Sequence, residues 1–337
     1  MPGLNIDHKP TELAVHWHAD VGDHVQDLAW SPDGELLLAA TISGPVFLYR
    51  GEHLLKSWNA HANGTNAVSW SPDGRQFATI GLDGVVRHWT PAGEACGEQA
   101  AGEQWAEHLA FNADGTLLAS AAGRKVRIWR GDQLVRELTP HASTVTGLHW
   151  RPGSTQLAML GYGGVALMDP VLGEEPRLLA WKGSLLSGCW NRQGSHLACG
   201  LQDNAIHVWQ PDTEQDWAMD GYHTKVLELA WDRSGKVLAS GGSYQITCWD
   251  FHGNGPGGQM PAVWNGHSAN VTALASNPAD DLIASGGRDG ALVWWRRGRP
   301  THMALAGPPI SRLAWRARQP VIAVGCEDGL LAVYQRR

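Results

Sequence analysis

Apolar and polar residues alternate along this chain in short runs, and the runs are cut by clusters of Pro, Asp, Ser, Asn and Gly. That period of two predicts strands, and almost no helix is expected. Residues 61–89, HANGTNAVSWSPDGRQFATIGLDGVVRHW, show the pattern most fully. Thr65, Ala67 and Ser69 fall on one face of a first strand, and Asn66, Val68 and Trp70 on the other. Ser71-Pro72-Asp73-Gly74 is a turn: Pro72 presets its φ, Asp73 bonds nearby backbone, and Gly74 takes positive φ. A second strand runs from Gln76 to Ile80. Leu82-Asp83-Gly84 is a hairpin signal that leads to a third strand, Val85 to Trp89.

The same unit recurs along the chain. Its first strand ends at Trp30, Trp70, Phe111, Trp150, Trp190, Trp231, Ser276 and Trp315, positions 39 to 45 residues apart. Its third strand ends at Tyr49, Trp89, Trp129, Met168, Trp209, Trp249, Trp295 and Tyr334. We number these units 1 to 8. A further β-like segment precedes each, such as Leu54–Trp58, Leu134–Leu138 and Ala262–Trp264. Leu13–Trp17 has no unit of its own, and its expected partner is Val321–Tyr334 at the other end of the chain.

The unit, with its spacing, resembles one repeat of the WD-repeat (WD40) β-propeller family. The resemblance implies a single all-β domain over residues 11–337. Its architecture would be an eight-bladed propeller of four antiparallel strands per blade, closed by the N-terminal strand completing the last blade. Residues 1–10 would form a flexible tail. A four-stranded sheet has two apolar faces and cannot bury both alone, so radial stacking and closure follow. The 18 Trp, against 4 Phe and 5 Tyr, fit one large wedge per blade near the outer rim better than a ligand-binding cluster. Family resemblance also implies a structural hydrogen-bonded set in each complete blade. Here the sets are His61, Thr79, Asp83 and Trp89 in unit 2, and His267, Ser285, Asp289 and Trp295 in unit 7. Unit 6 would keep His223, Ser240 and Trp249, and unit 4 only His141.

Composition narrows the function. With 18% charged and 43% hydrophobic residues, the chain reads as an ordinary soluble globular protein. A net charge of −7 gives no general pull toward nucleic acid or anionic membrane. No secretory signal or membrane-length apolar run is visible, and Cys96, Cys189, Cys199, Cys248 and Cys326 have no metal-like spacing. A cytoplasmic protein, monomeric on its own and without cofactors, is expected. The Ser–His–Asp sets invite a hydrolase reading. However, no Gly-x-Ser-x-Gly elbow and no inward cluster of acids or histidines is apparent, so no catalytic residue is assigned.

Three candidate sites remain. By resemblance, the residue after the one opening each first strand lines the top mouth of the channel: Gln26, Asn66, Ala106, Thr146, Leu186, Leu227, Thr272 and Ser311. Trp105 lies beside them as an aromatic anchor for a peptide or protein partner. Arg296, Arg297, Arg299, Arg316, Arg318, Arg336 and Arg337 should gather on the bottom rim, suited to an acidic or phosphorylated partner. His16 and His18 alternate onto one face of the first strand, with Asp20, Asp23 and His24 beyond, a set that could bind Zn²⁺. The Gly-rich stretch His252–Gln259 reads as a flexible loop. The expected function is a non-catalytic protein-interaction scaffold, with a metal-handling protein and a propeller enzyme acting at the central channel as the alternatives.

Overall fold

A computed structural model of the chain describes residues 9–102 and 105–337. The expected tail therefore lies outside the described residues from 1 to 8. Among the described residues there are thirty strands and no helix. The strands follow the period-two runs, and the turns between them fall at the Pro, Asp and Gly clusters.

Eight inner strands touch one another in cyclic order. They are Val25–Trp30, Thr65–Trp70, Ala106–Phe111, Gly147–Trp150, the end of Arg177–Trp190, Leu229–Trp231, Val271–Ser276 and Ile310–Trp315, and the last returns to the first. The molecule is an all-β propeller, with the inner strands around a central axis and the later strands of each unit running outward. The hydrogen-bonded sheets number six, not eight: four have four strands, one has six and one has eight.

Two strands account for the mergers. Arg177–Trp190 runs unbroken from the outer strand of unit 4 into the inner strand of unit 5, with no turn at Lys182-Gly183. Thr11–Asp20 joins units 7 and 8. It pairs antiparallel with Leu330–Arg336, and parallel with Arg299–Leu305 through Thr11 opposite His302 and Glu12 opposite Met303. The closing strand is thus longer than Leu13–Trp17.

The core lies between neighbouring units. Ala119, Ile128 and Leu117 of unit 3 pack on Leu148, Met159 and Met168 of unit 4. Small residues face large ones across each joint, as close packing of twisted sheets requires. Tryptophan has two places rather than one. At the outer wedge, Trp264 stacks on Trp295 at 5.4 Å between centroids, and Trp58 packs on Trp89 at 5.1 Å.

The tryptophans that end the inner strands are not wedges. Each donates its indole Nε1–H to a backbone carbonyl of the preceding unit. Trp70 donates to Ala29 at 3.2 Å, Trp150 to Ala110 at 2.9 Å, Trp190 to His149 at 3.1 Å and Trp231 to Cys189 at 3.2 Å. Trp315 donates to Ala275 at 2.9 Å, and Trp30 to Ala314 at 3.1 Å across the chain termini. The acceptor always comes from the residue before the equivalent strand end, so the repeat spacing itself sets up these staples.

Candidate functional site

In an up-and-down sheet, the approach to the first strand and the second hairpin lie at one end, here the top, and the remaining connections at the other. The two four-residue sets lie on the top side, at the hairpins of units 2 and 7. Trp89 Nε1 donates to Thr79 Oγ1 at 3.0 Å, Thr79 Oγ1 stands 2.7 Å from His61 Nε2, and His61 Nδ1 stands 2.8 Å from Asp83. In unit 7, Trp295 Nε1 donates to Ser285 Oγ at 2.7 Å, His267 Nε2 is 2.7 Å from the same hydroxyl, and His267 Nδ1 is 3.1 Å from Asp289. Thr79 and Ser285 are fully buried. A hydroxyl buried under an indole N–H has no path to a substrate, which removes the hydrolase geometry. Burial also pushes His61 below the usual histidine range, so the ring is held neutral between hydroxyl and carboxylate.

Unit 6 departs from expectation, whereas unit 4 keeps only its histidine, as expected. His141 Nε2 donates to the Met159 carbonyl at 2.9 Å, since no hydroxyl is present. In unit 6 the role falls to Tyr222, not His223, which is exposed. Trp249 Nε1 donates to Tyr222 Oη at 2.7 Å, and Tyr222 Oη is 2.6 Å from Ser240 Oγ. The longer phenol reaches from one residue earlier, a substitution the spacing alone does not reveal.

The expected ring at the channel mouth needs correcting in two ways. A bulge follows the opening residue in unit 3, where Ala106 opposes Ala122 and His108 opposes Ala121. Glu107, not the fully buried Ala106, therefore occupies the ring position. Several ring side chains are also engaged rather than free. Asn66 Nδ2 donates to the Ala106 carbonyl at 2.9 Å, and Thr146 Oγ1 to Leu185 at 2.6 Å. Thr272 Oγ1 donates to Ile310 at 2.5 Å and Ser311 Oγ to Val25 at 2.7 Å, across the termini. Each acceptor is the opening residue of the next unit, so these are upper staples matching the tryptophans below. Gln26, Leu186 and Leu227 remain at the mouth, and Trp105 projects from it with φ 59°.

One residue further along four of the inner strands lies a polar set, Asp27, His108, Glu228 and Arg312, with His149 two residues deeper in unit 4; sequence reading picks out the two carboxylates as negative charge beside the mouth but misses His108 and Arg312. The charge of Arg312 reaches both carboxylates, and His108 and His149 feel one another. The signal was available, because Asp27, His108, Glu228 and Arg312 all sit two residues after the strand opening. Most of them brace backbone. Asp27 accepts from Leu28 and Val68 amides, both at 2.9 Å, and burial raises it above the usual carboxylate range. Burial likewise pushes Glu228 up to about 7, with the nearby backbone amides of Leu227, Glu228 and Gly242 offsetting it only in part.

The bottom-rim arginines are largely neutralised by acids that precede or lie outside the Arg-rich stretch. Arg296 and Arg336 share Asp280 at 2.7 and 3.2 Å, Arg297 faces Asp281 at 3.5 Å, Arg316 meets Glu35 at 2.9 Å, and Arg337 meets Glu12 at 2.8 Å. Only Arg299 and Arg318 of the seven lack a carboxylate partner among the described residues.

The N-terminal histidines form no metal centre. Val15 opposes Tyr334 and Trp17 opposes Val333, so His16 is a bulged residue and the alternation with His18 is broken. Asp20 accepts from Gly22 N at 2.8 Å, and Asp23 accepts from His24 N at 2.8 Å and Ser43 N at 2.9 Å. No group of three or more His, Cys, Asp or Glu able to hold a metal ion occurs among the described residues. The Gly-rich loop is exposed along most of its length but anchored at its middle: Gly255 lies on the indole of Trp217, where a Cβ would meet the ring at 2.8 Å. It walls a cavity of about 490 Å³ together with His196, Phe251 and Glu214.

Three stretches of the chain, residues 52–90, 103–130 and 258–296, match the family model described as WD domain, G-beta repeat. Among curated proteins, the chain is 30% identical over 193 residues to the transcriptional corepressor LEUNIG_HOMOLOG of Arabidopsis thaliana, covering 55% of this chain and 24% of that protein. It is 22% identical over 296 residues to Cell division cycle 20.1, cofactor of APC complex, from the same plant, covering 80% and 56%. It is 26% identical over 217 residues to that plant's Actin-interacting protein 1-2, covering 60% and 35%. The chain thus spans from about a quarter to just over half the length of these relatives. Among solved structures, the computationally designed Ika8 protein superposes with a TM-score of 0.79 at 19% identity, covering 94% of this chain and 97% of that one, a likeness of fold. The chain carries stretches that match the WD40 repeat, and repeat, ring and relatives agree in likening it to the WD-repeat (WD40) β-propeller family.

Proposed function

We propose that this chain is an eight-bladed propeller serving as a non-catalytic scaffold that docks a peptide or protein partner on its top face. The observation that carries the reading is a set of exposed apolar residues on the top connections and channel mouth of units 1, 3, 4 and 6. Ile42, Trp105, Tyr162, Leu227 and Tyr244 are between 46% and 65% exposed. Large apolar side chains presented together on one end of a propeller are the usual mark of a protein-binding surface. Trp105 is the centre of the reading. A bulky residue at positive φ is held there at a conformational cost, and its indole is turned outward instead of into a core.

The relatives fit a binding role, since their names describe a corepressor, a cofactor of a complex and an actin-interacting protein. All five cysteines are unpaired, in keeping with a reducing compartment such as the cytosol, and the chain is expected to be a monomer before it meets its partner. No helix of the described residues is long and apolar enough to cross a membrane.

Tagged wild-type protein and the variant Trp105→Ala/Leu227→Asp, each purified from cells and compared by quantitative mass spectrometry, test the proposal. Proteins enriched by the wild type should be lost with the variant, whose melting temperature should stay the same. An unchanged set of captured proteins would remove the top face as the docking surface.

A further inference from the structure

Seven of the eight joints between neighbouring units carry a side-chain hydrogen bond between their inner strands, at the upper end, the lower end or both. The joint between units 6 and 7 carries neither kind among the described residues. At its lower end, Ser276 stands where most units have tryptophan, so no indole reaches the Ala230 carbonyl that the staple rule designates. At its upper end, Leu227 is apolar and the Glu228 side chain lies back against Gly241 of its own unit. The inner strand of unit 6 is correspondingly short, Leu229–Trp231.

The missing indole leaves space. A slot of about 400 Å³ opens at the bottom of this joint, walled by Trp190, Leu229, Trp231 and Leu274 and floored by Ser276 and Pro278. A second recess of the same size lies on the other side of Ser276, against Trp30 and Trp315. Two exposed guanidiniums border the first slot. Arg192 donates to the Pro278 carbonyl at 3.4 Å, and Arg233 to the Ala279 carbonyl at 2.6 Å. Neither has a carboxylate partner among the described residues. The adjacent Asp232 is already occupied by the amides of Lys236 and Val237 and the hydroxyl of Ser234. This contrasts with the bottom-rim arginines, most of which are paired.

We propose that this slot is a second docking site, distinct from the top face, for an acidic peptide segment that inserts one aromatic or large aliphatic side chain. The inserted group takes the space that the absent tryptophan leaves beside Trp231, with Trp190 as the further wall, where desolvated aromatic walls give an anchor its energy. Carboxylates flanking the anchor take the two guanidiniums, whose planar forks match carboxylate geometry. A basic peptide would place its charge against Arg192 and Arg233 and is excluded by the same arrangement.

The test is selection of a random dodecapeptide phage library on the full chain, followed by fluorescence anisotropy of the enriched sequences as labelled synthetic peptides. Enriched peptides should join an aromatic or leucine residue to neighbouring Asp or Glu. Ser276→Trp, which completes the staple to Ala230 and fills the slot, should weaken their binding at least tenfold without lowering the melting temperature. Arg192→Glu/Arg233→Glu, which leaves the core untouched, should weaken it at least tenfold and abolish its salt dependence. Trp105→Ala/Leu227→Asp should leave it unchanged, which separates this site from the top face. Failure to enrich any acidic peptide, or binding that survives both the Ser276→Trp and the arginine variants, would overturn the proposal.

Discussion

A single hydroxyl organises each complete four-residue set. Thr79 Oγ1 accepts from Trp89 and meets His61, so Thr79→Val keeps the shape but leaves two buried polar groups unpaired. The expected loss is about 2 kcal/mol by urea unfolding, with Thr79→Ser restoring most of it. Titration at the channel gives a second expectation. Burial pushes His108 and His149 each down to about 4, with the neighbouring histidine adding to the effect on His149. A folded pKa below the unfolded value near 6.5 means their contribution is complete above pH 6.5 and is lost as pH falls toward 4. Between pH 6.5 and 5 each histidine should cost up to about 2 kcal/mol. Glu228 runs the other way: raised to about 7, it supports the fold below its ordinary carboxylate range, and that support is lost as pH rises through 7. Unfolding curves at pH 7 and pH 5 should therefore show a smaller acid loss in His149→Gln and a larger one in Glu228→Gln. Equal slopes in all three proteins would mean that these groups stay in water.

At the scale of the strand, the closing element repays attention because the chain is not continuous there. Trp17 is buried and stacks on Tyr49 of unit 1 at 5.3 Å between centroids, while its strand completes the sheet of unit 8. Trp17→Ala should cost about 3–5 kcal/mol in urea unfolding and broaden the transition, since one side chain seals both neighbours. Val15, on the same strand and half exposed, should tolerate alanine with little change. This closure was legible in the sequence, as were the inner and third strands, because an apolar alternation with no unit of its own must find an edge. The mergers of the sheets were not. Whether Lys182-Gly183 turns or continues depends on the neighbouring strands, and the parallel pairing of Thr11 with His302 lies beyond any local pattern. The sites were less legible than the strands. Trp105 was picked out by residue type alone, but the apparent freedom of Asn66, Thr146, Thr272 and Ser311 was misread, since their acceptors are carbonyls some forty residues away or more. The arginine count misled for a similar reason: Asp280, Glu35 and Glu12 come from other parts of the chain and meet the cations only in the ring.

For the whole molecule, the distribution of staples decides where the ring is weakest. The natural expectation is the seam where the two ends of the chain meet, around units 8 and 1. Yet the joint between those units carries the Ser311 staple above and the Trp30 staple below, and Thr11–Asp20 completes the sheet of unit 8 before the chain runs on into unit 1. The joint between units 6 and 7 has continuous chain but, on its inner strands, no side-chain staple. What spans it are the backbone bond from Val271 N to the Ser243 carbonyl at 2.9 Å and the exposed reach of Arg233 to Ala279. Local opening follows the count of buried contacts and protected hydrogen bonds, so the ring should open first between units 6 and 7. Hydrogen exchange followed by mass spectrometry should show peptides covering residues 226–231 and 271–276 exchanging sooner than those covering 25–30 and 310–315. The order matters for binding, because a ring that opens at this joint presents the slot beside Ser276 without disturbing the closed seam at the termini. The reverse order, with residues 25–30 exchanging first, would mean that the meeting of the chain ends weakens this propeller more than missing side-chain staples do.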